Sequence, residues 1–136
     1  MKQFHLSIAT PKKVVFDGNV ESLTVSTLSG YRTILAGHTP LIGFLADAPM
    51  HIVVDGKTKY YALHNGMLEI KDKEVTILTN VIESADEIDL NRANDSKSRA
   101  EKRIKERDPE LDLKRAQLSL ERALCRIQAA RFKDID

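Results

Sequence analysis

Along residues 4–79, hydrophobic residues alternate with polar ones in short runs that end at turn residues. Phe4, Leu6 and Ile8 form the first run, and a period of two is typical of a strand with one buried face. Similar runs at 14–16 and 23–27 are expected to end at Asp17-Gly18 and Ser29-Gly30. Residues 31–45 contain a brief strand interrupted by glycine and proline, and the last clear strand is expected at 75–79.

Two dipeptides carry the turn signal of a β-hairpin. Asp55-Gly56 lies between β-rich segments and suits a two-residue type I′ turn, and Asn65-Gly66 repeats the signal before another apolar run. Short strands with frequent turns are typical of a small β-sandwich or barrel. A module of this size is marginal alone, so we expect residues 1–86 to form a small sandwich that depends on a partner.

The spacing of apolar residues changes after residue 86, which places a second unit at residues 87–136. Ser84 with Glu87, or alternatively Asp89, provides the cap of a first helix. Asp108 and Pro109 are expected to end this helix and to start a second one. The positions of the first helix that follow a 3–4 spacing are Leu90, Ala93, Lys97, Ala100 and Ile104. Those of the second helix are Leu113, Ala116, Leu120, Ala123, Ile127 and Ala130.

These positions predict an antiparallel two-helix hairpin, because alternating alanine and larger residues let two helices approach closely. The seam is narrow, and both outer faces are expected to be polar. Isolated helices of this length are marginal in water. We therefore expect a hairpin that can open, extend or repack on another surface at modest cost. The predicted fold class is β + α.

The composition excludes several classes of function. Lysine and arginine number 21 against 20 acidic residues, and aromatic residues make up only 5% of the chain, so nucleic-acid binding is not expected. The single cysteine, Cys125, is consistent with a reducing compartment. No apolar run approaches the ~20 residues that cross a bilayer, and the first residues do not resemble a signal peptide.

No arrangement of nucleophile and base, phosphate-binding glycine loop or pair of catalytic carboxylates is evident, so we do not expect an enzyme. An alternative interpretation is a metal-dependent β-barrel enzyme that uses the evenly spaced His38, His51 and His64. A zinc site needs three or four converging ligands, which strand spacing alone does not provide. His38 lies beside Gly37 and Pro40 and is better explained as a loop residue at a subunit contact.

Two segments carry a resemblance to a known family, namely SGYRTILAGHTPLIGFL in the middle of the sandwich and NGMLEIKDKEVTILTNVIESADEID before the hairpin. Together they closely resemble the epsilon subunit of bacterial F-type ATP synthases, and the resemblance extends over essentially the whole chain. It implies a non-catalytic rotor subunit of the central stalk, peripheral on the cytoplasmic face of the cell membrane. No cofactor is implied, and ATP is implied only as a regulatory ligand.

The resemblance also implies partners. The sandwich is expected to contact the gamma subunit and the c-ring, and the raised hairpin to contact the alpha and beta subunits and to hinder ATP hydrolysis. Tyr31, Arg32 and His38 are the expected subunit contacts. In this loop the family's usual acidic residue and its neighbouring glycine are replaced by Tyr31, Arg32 and Thr33, and Ala36 replaces a proline, so the charge pattern there has changed.

Ile88, Asp89, Arg92 and Ala93 match the pattern by which some bacterial epsilon subunits bind ATP, and this resemblance implies a nucleotide site. Arginine offers forked donors to phosphate, and a carboxylate can accept from an adenine amino group. Under the same resemblance Glu83, Arg99, Arg122 and Arg126 complete the site. The competing interpretation is a simple helix cap at Asp89 with a solvated Arg92, which residue spacing alone favours.

Overall fold

The computed structural model describes residues 2–106 and 113–135, and it shows ten strands followed by two helices. The strands are β1 Phe4–Ala9, β2 Val14–Val20, β3 Ser22–Thr27, β4 Gly30–Ile34, β5 Leu41–Leu45, β6 Ala48–Val54, β7 Lys57–His64, β8 Gly66–Lys71, β9 Glu74–Leu78 and β10 Val81–Ser84. A 3₁₀ turn, Ala85–Glu87, leads into helix α1, Leu90–Glu106, and helix α2 is Leu113–Ile135.

The strands form the predicted β-sandwich. They hydrogen-bond in the order β10-β7-β6-β3-β5-β8-β9-β1-β2, and β4 pairs with β3. β3 joins the two halves, because it pairs with β6 through residues 22–24 and with β5 at Thr27. The side chains enclosed between the halves are mainly aliphatic, as the low aromatic content requires.

Period-two alternation correctly located the core faces of several strands. Phe4, Leu6 and Ile8 are buried on β1, while their neighbours are only partly covered. The predicted hairpin turn is also confirmed, because Asp55 and Gly56 both have positive φ and connect the paired strands β6 and β7. At these places, the local turn residues and a single buried face were sufficient to predict the structure from the sequence.

Other turn predictions were wrong. β2 continues through Asp17-Gly18, with Gly18 paired to Leu6, since cross-strand pairing outweighs the local turn signal. Residues 31–45 form two strands rather than one, and Gly43 lies inside β5. Asn65 has positive φ, but it connects β7 to β8, which are separated by β6, β3 and β5 in the sheet order. This turn moves the chain from one layer to the other instead of closing a hairpin.

The two helices pack along a seam of small side chains. Ala93 and Ala100 are buried on α1, and Ala116, Ala123, Ile127 and Ala130 are buried on α2. Leu113, expected on the seam, is 48% exposed, because it is the first residue of α2 and lies where the contact ends. The predicted helix break at Asp108 and Pro109 lies outside the described residues.

A second face of α2 packs on the sandwich, so the prediction that both outer faces are polar was wrong. Cys125 and Ala129 are buried there against Ala62 of β7 and Ala85 of the 3₁₀ turn. The Cys125 thiol donates to the backbone carbonyl of Leu63 across 3.5 Å. Small side chains carried no strong apolar signal in the sequence, yet they allow α2 to lie directly on the strands. The hairpin is therefore docked.

Candidate functional site

A cleft of about 340 Å³ opens where the last strand, the 3₁₀ turn and both helices meet. Its lining residues come from all four of these elements. They are Glu83, Glu87, Ile88, Asp89, Arg92, Ala93, Ser96 and Arg126. A volume near 300 Å³ is at the small end of the range for ligand pockets.

Two capping hydrogen bonds fix the backbone in the segment that leads from β10 to α1 along the wall of this cleft. The hydroxyl of Ser84 accepts from the backbone N–H of Asp86 and caps the 3₁₀ turn. The Oδ1 of Asp89 accepts from the N–H of Arg92 at 3.1 Å and caps α1, which confirms that residue as the helix cap. The cap fixes Asp89 and the first turn of α1 in the wall of the cleft. Capping and ligand binding are therefore compatible at this residue.

An ion pair connects the sandwich to α2 at the inner end of the cleft. The Nε of Arg126 donates to Oε1 of Glu83 at 2.7 Å, and Nε2 of His64 lies 3.3 Å from the same oxygen. The His64 imidazole contributes most to lowering the pKa of Glu83 to about 2, and Arg126 lowers it further, whereas burial acts in the opposite direction. Glu83 is consequently ionised at physiological pH.

Further basic side chains of α1 lie in this cleft and in the one beside it. The guanidinium of Arg92 is exposed and forms no ion pair with any described carboxylate. A neighbouring cleft of about 260 Å³ between the helices shares Ser96 and is also lined by Arg99 and Arg103. Arg99 donates to the Ser96 hydroxyl at 3.2 Å. The first cleft thus combines three carboxylates with the guanidinium groups of Arg92 and Arg126, and the neighbouring cleft adds those of Arg99 and Arg103.

The structure brings six of the eight predicted nucleotide residues together: Glu83, Ile88, Asp89, Arg92, Ala93 and Arg126 all line the first cleft. Arg99 lies in the neighbouring cleft, whereas Arg122 is exposed on α2 and lines neither.

Six lining residues of the two clefts were not predicted as nucleotide residues, namely Glu87, Ser96, Ala100, Arg103, Ala116 and Ser119. Ser96 and Arg103 follow Arg92 and Arg99 by one helical turn, and this spacing could have indicated them.

The predicted subunit contacts lie on β4 and in the loop that follows it. Tyr31 and Arg32 are exposed on β4, and His38 follows in the loop before β5. The Nδ1 of His38 lies 2.7 Å from the carbonyl of its neighbour Thr39. No feature of the described structure shows what these residues contact.

An exposed apolar face adjoins this segment, and the sequence analysis did not identify it. We define the face as Leu28, Ile42, Phe44 and Leu78, of which Leu28 is 75% and Phe44 64% exposed. A groove of about 670 Å³ includes Leu28, Phe44, Met67 and Leu78 in its lining. Large contiguous apolar surfaces are typical of protein contacts.

The three histidines of the alternative interpretation do not converge. His38 is in a loop, His51 is on β6, and His64 is buried at the end of β7. Among residues 2–106 and 113–133, no three side chains of the metal-binding types come together. Within the helical segments described, none is long and apolar enough to cross a membrane.

Comparison with protein families gives matches over both parts of the chain. The model of the ATP synthase delta/epsilon chain beta-sandwich domain matches residues 3–85, and the model of the long alpha-helix domain of the same chain matches residues 86–131.

Individual relatives align with this chain over almost its full length. The ATP synthase epsilon chain of Bacillus cytotoxicus is 38% identical over 133 residues, which is 98% of this chain and 100% of the relative. That of Ruminococcus albus is 40% identical over 134 residues, with the same coverage.

The fold is also similar to that of solved structures. A chain in the cryo-EM structure of the Euglena gracilis mitochondrial ATP synthase (OSCP/F1/c-ring) superposes with a TM-score of 0.81 at 21% identity, over 98% of this chain and 82% of that one. A chain in the central stalk/c-ring structure of the Tetrahymena thermophila enzyme superposes with a TM-score of 0.55 at 16% identity, over 63% and 69% of the two chains.

Proposed function

This chain belongs to the delta/epsilon family of ATP synthase subunits, and we propose that it is a rotor subunit of the central stalk that couples the c-ring to gamma. In this role it is not catalytic and needs no cofactor. It lies on the cytoplasmic face of the cell membrane and is held there through its partners. The observation that carries the whole proposal is the docked helical hairpin, which completes a polar cleft at its junction with the sandwich.

The exposed apolar face supports the contact with gamma. Leu28 and Phe44 are exposed to solvent and line a groove. Burying their apolar surface against a partner would stabilise the complex of the two chains. The segment that carries Tyr31, Arg32 and His38 is exposed next to it and is proposed to meet the polar loops of the c-ring. Both contacts then lie on the sandwich, which leaves the hairpin free to move.

A substitution on this face tests the partner. Phe44→Ser is expected to reduce co-purification with gamma severalfold, because the largest apolar side chain of the face is removed. Leu118→Ser is the matched control, since Leu118 is also an exposed apolar residue but lies on α2, outside this face. Equal recovery of gamma with both variants would contradict the placement of the contact.

The hairpin is proposed to leave the sandwich and to rise towards the alpha and beta subunits, where it inhibits ATP hydrolysis. Its contact with the sandwich buries alanine side chains and one cysteine, and it adds the stack of Phe132 on Tyr60 and two ion pairs, Arg126–Glu83 and Lys133–Asp86. Burial of few methyl groups together with partly exposed ion pairs is a weak attachment. In the assembled complex, truncation after residue 86 is expected to raise the rate of hydrolysis. An unchanged rate would contradict inhibition by the hairpin.

The docked hairpin is further proposed to bind ATP as a regulatory ligand. The carboxylates at the inner end of the cleft can accept from the adenine amino group. The phosphates would then extend towards Arg92 and the neighbouring Arg99 and Arg103, which offer forked donors. Because the cleft contains residues of β10, α1 and α2, ATP binds the docked arrangement and stabilises it.

Calorimetric titration of ATP into the full chain, up to millimolar concentrations, tests this site. Wild type is expected to bind, and Arg92→Ala is expected to lose at least ~10-fold in affinity, since a charge-assisted contact to phosphate is removed. Arg131→Ala is the matched control, because it removes an exposed arginine of α2 outside both clefts. Identical affinities for the two variants, or no binding to wild type, would leave a docked hairpin without a nucleotide role.

A further inference from the structure

The docked face of α2 ends in a contact of a different kind from the rest of that face. Nearer the middle of the helix, Cys125 and Ala129 bury small side chains against the sandwich. In the last turn, the ring of Phe132 stacks on that of Tyr60, with 6.1 Å between the ring centroids and 25° between the ring planes. The ring of Tyr60 lies in turn 5.3 Å from that of His51, its partner in the strand register. Phe132 therefore continues a row of rings that begins on β6 and crosses β7.

The next residue of α2 makes an ion pair. The Nζ of Lys133 lies 2.9 Å from Oδ1 of Asp86, and the two side chains are 46% and 75% exposed. Asp86 belongs to the 3₁₀ turn that leads into α1, and its backbone N–H donates to the hydroxyl of Ser84. The ion pair therefore ties the end of α2 to the segment from which α1 starts.

These two contacts border a small cavity. Its volume is about 200 Å³, and its lining includes Tyr60 of β7, Asp86 of the 3₁₀ turn and Lys133 of α2. The last turn of α2 is therefore not packed tightly on the strand beneath it. Its attachment depends on the ring stack and the ion pair, and Phe132 itself stays 43% exposed.

The position of these contacts sets the order in which the docked face separates. The last residues of a helix separate from their surroundings at low cost, so the terminal turn can leave while the rest of α2 stays docked. The reverse is not possible without bending the helix. Cys125 and Ala129 lie one to two turns before Phe132 on the same face, so they cannot leave the sandwich while the last turn is held.

We propose that Phe132 and Lys133 form a clasp that closes the docked arrangement, and that undocking of the hairpin begins when this clasp opens. The inference rests on the proposed mobility of the hairpin, but it does not require ATP. An aromatic pair changes an equilibrium by roughly 2- to 10-fold beyond its buried area. A partly exposed ion pair contributes less and is screened by salt. The stack therefore supplies most of the clasp, and the ion pair makes it sensitive to ionic strength.

The buried thiol of Cys125, the single cysteine of the chain, reports undocking in the native sequence. It is 2% exposed, and burial raises its pKa to about 12, so the docked thiol reacts slowly. We would measure the rate at which 4,4′-dithiodipyridine modifies the full chain at a pH near 8 without nucleotide. Protection is the rate in the urea-unfolded chain divided by this rate. Hydrogen exchange of the amides in β1 and β9 shows in the same samples that the sandwich stays folded.

Phe132→Ser is expected to lower the protection of Cys125 by about 3- to 10-fold, because the stack is lost. Phe132→Tyr keeps a ring and should keep the wild-type protection. Leu124→Ser is the matched control, since Leu124 is also an exposed apolar residue of α2 but lies outside the docked face. In a double-mutant cycle, Phe132→Ser should have little further effect once Tyr60→Ser has removed the partner ring.

The ion pair of the clasp is tested by its dependence on salt. Lys133→Gln is expected to lower protection by up to ~3-fold at about 50 mM salt and to have little effect near 1 M, where screening already weakens the pair in wild type. Lys102→Gln is the control, because Lys102 also forms an exposed ion pair, but with Glu106 within α1. A loss of protection in Lys133→Gln that is equally large near 1 M salt would contradict an ionic contribution to the clasp.

The remaining outcomes separate the clasp from the mobility on which it rests. If wild type opens faster than it unfolds globally, but Phe132→Ser and Leu124→Ser give equal protection, the clasp is wrong and the mobile hairpin stands. The same conclusion follows if the effects of Phe132→Ser and Tyr60→Ser add in full, since the two rings would then act independently. If the Cys125 thiol of wild type reacts only at the rate of global unfolding, the hairpin does not leave the sandwich. That result would overturn the clasp together with the proposed mobility.

Discussion

Asp89 is both the cap of α1 and a residue of the proposed ATP site. Its carboxylate caps α1 and lines the cleft. Asp89→Ala is expected to destabilise the chain by ~1 kcal/mol, the usual cost of losing a cap, and to weaken ATP binding. Asp89→Asn retains a good cap but removes the charge, so it is expected to weaken binding alone. Urea unfolding and calorimetry of both variants measure the two effects separately. Wild-type affinity in Asp89→Asn would contradict a role for the charge.

Gly66 illustrates a glycine that packing requires. A Cβ at this position would lie 2.6 Å from the carbonyl oxygen of Leu78 and 3.0 Å from Cβ of Thr79. Gly66→Ala is therefore expected to destabilise the chain by ~1–3 kcal/mol, because backbone must shift. Gly43→Ala is the control, since nothing lies within 4 Å of its added Cβ. Equal urea midpoints for the two variants would show that β8 and β9 adjust freely.

At the scale of elements, the sequence was sufficient to predict a strand or hairpin where the segment has one buried face and a local turn. β1 and the β6–β7 hairpin are of this kind. β10 was missed because it has only four residues and contributes one paired edge to β7. The docked face of α2 was missed because cysteine and alanine give little periodic signal, although both are buried.

The site was predictable only in part, because some of its contacts join residues that are far apart in the sequence. Family resemblance indicated the residues of the first cleft, but only the fold brings Glu83 of β10 beside Arg126 of α2. That contact joins positions 43 residues apart, which no local pattern encodes. His64 was considered only as a metal ligand, because its proximity to Glu83 depends on the pairing of β7 with β10.

The ion pair between β10 and α2 has a pH dependence of its own. The pKa of Glu83 is lowered from 4.5 to about 2, so its contribution to stability is fully present above pH 4.5 and is lost as the pH falls towards 2. Glu83→Gln lacks this titration. The stability difference between wild type and Glu83→Gln, measured by thermal unfolding, should shrink between pH 4.5 and 2. A difference that stays constant over this interval would contradict an ion pair at this position.

The docked face of α2 can be tested without touching the cleft. Ala129 is fully buried against the sandwich, so Ala129→Glu would bury an unpaired charge and is expected to release the hairpin. The thiol of Cys125 should then react with 4,4′-dithiodipyridine at nearly the rate measured in the urea-unfolded chain. The amides of β1 and β9 should stay protected from hydrogen exchange. Gln128→Glu, an exposed neighbour, is the control and should stay docked. Continued protection of Cys125 in Ala129→Glu would contradict this packing.

At the scale of the whole molecule, the sandwich and the hairpin have different tasks. The sandwich presents an exposed apolar face that is suited to stable contact with the stalk. The hairpin is attached by small side chains, the stack of Phe132 on Tyr60 and two partly exposed ion pairs, which is suited to reversible docking. We propose that ATP acts at this junction, because a ligand in the cleft would contact both units and stabilise the docked arrangement.

The central claim is that ATP binds the docked hairpin and holds it on the sandwich. The most direct measurement is the rate at which 4,4′-dithiodipyridine modifies the Cys125 thiol of the full chain as ATP is added at a pH near 8. Protection is the rate in the urea-unfolded chain divided by this rate. A ligand that binds only the docked arrangement should raise protection in proportion to 1 + [ATP]/Kd, and Arg92→Ala should show no rise over the same concentrations. Protection that does not change with ATP in wild type would contradict the account.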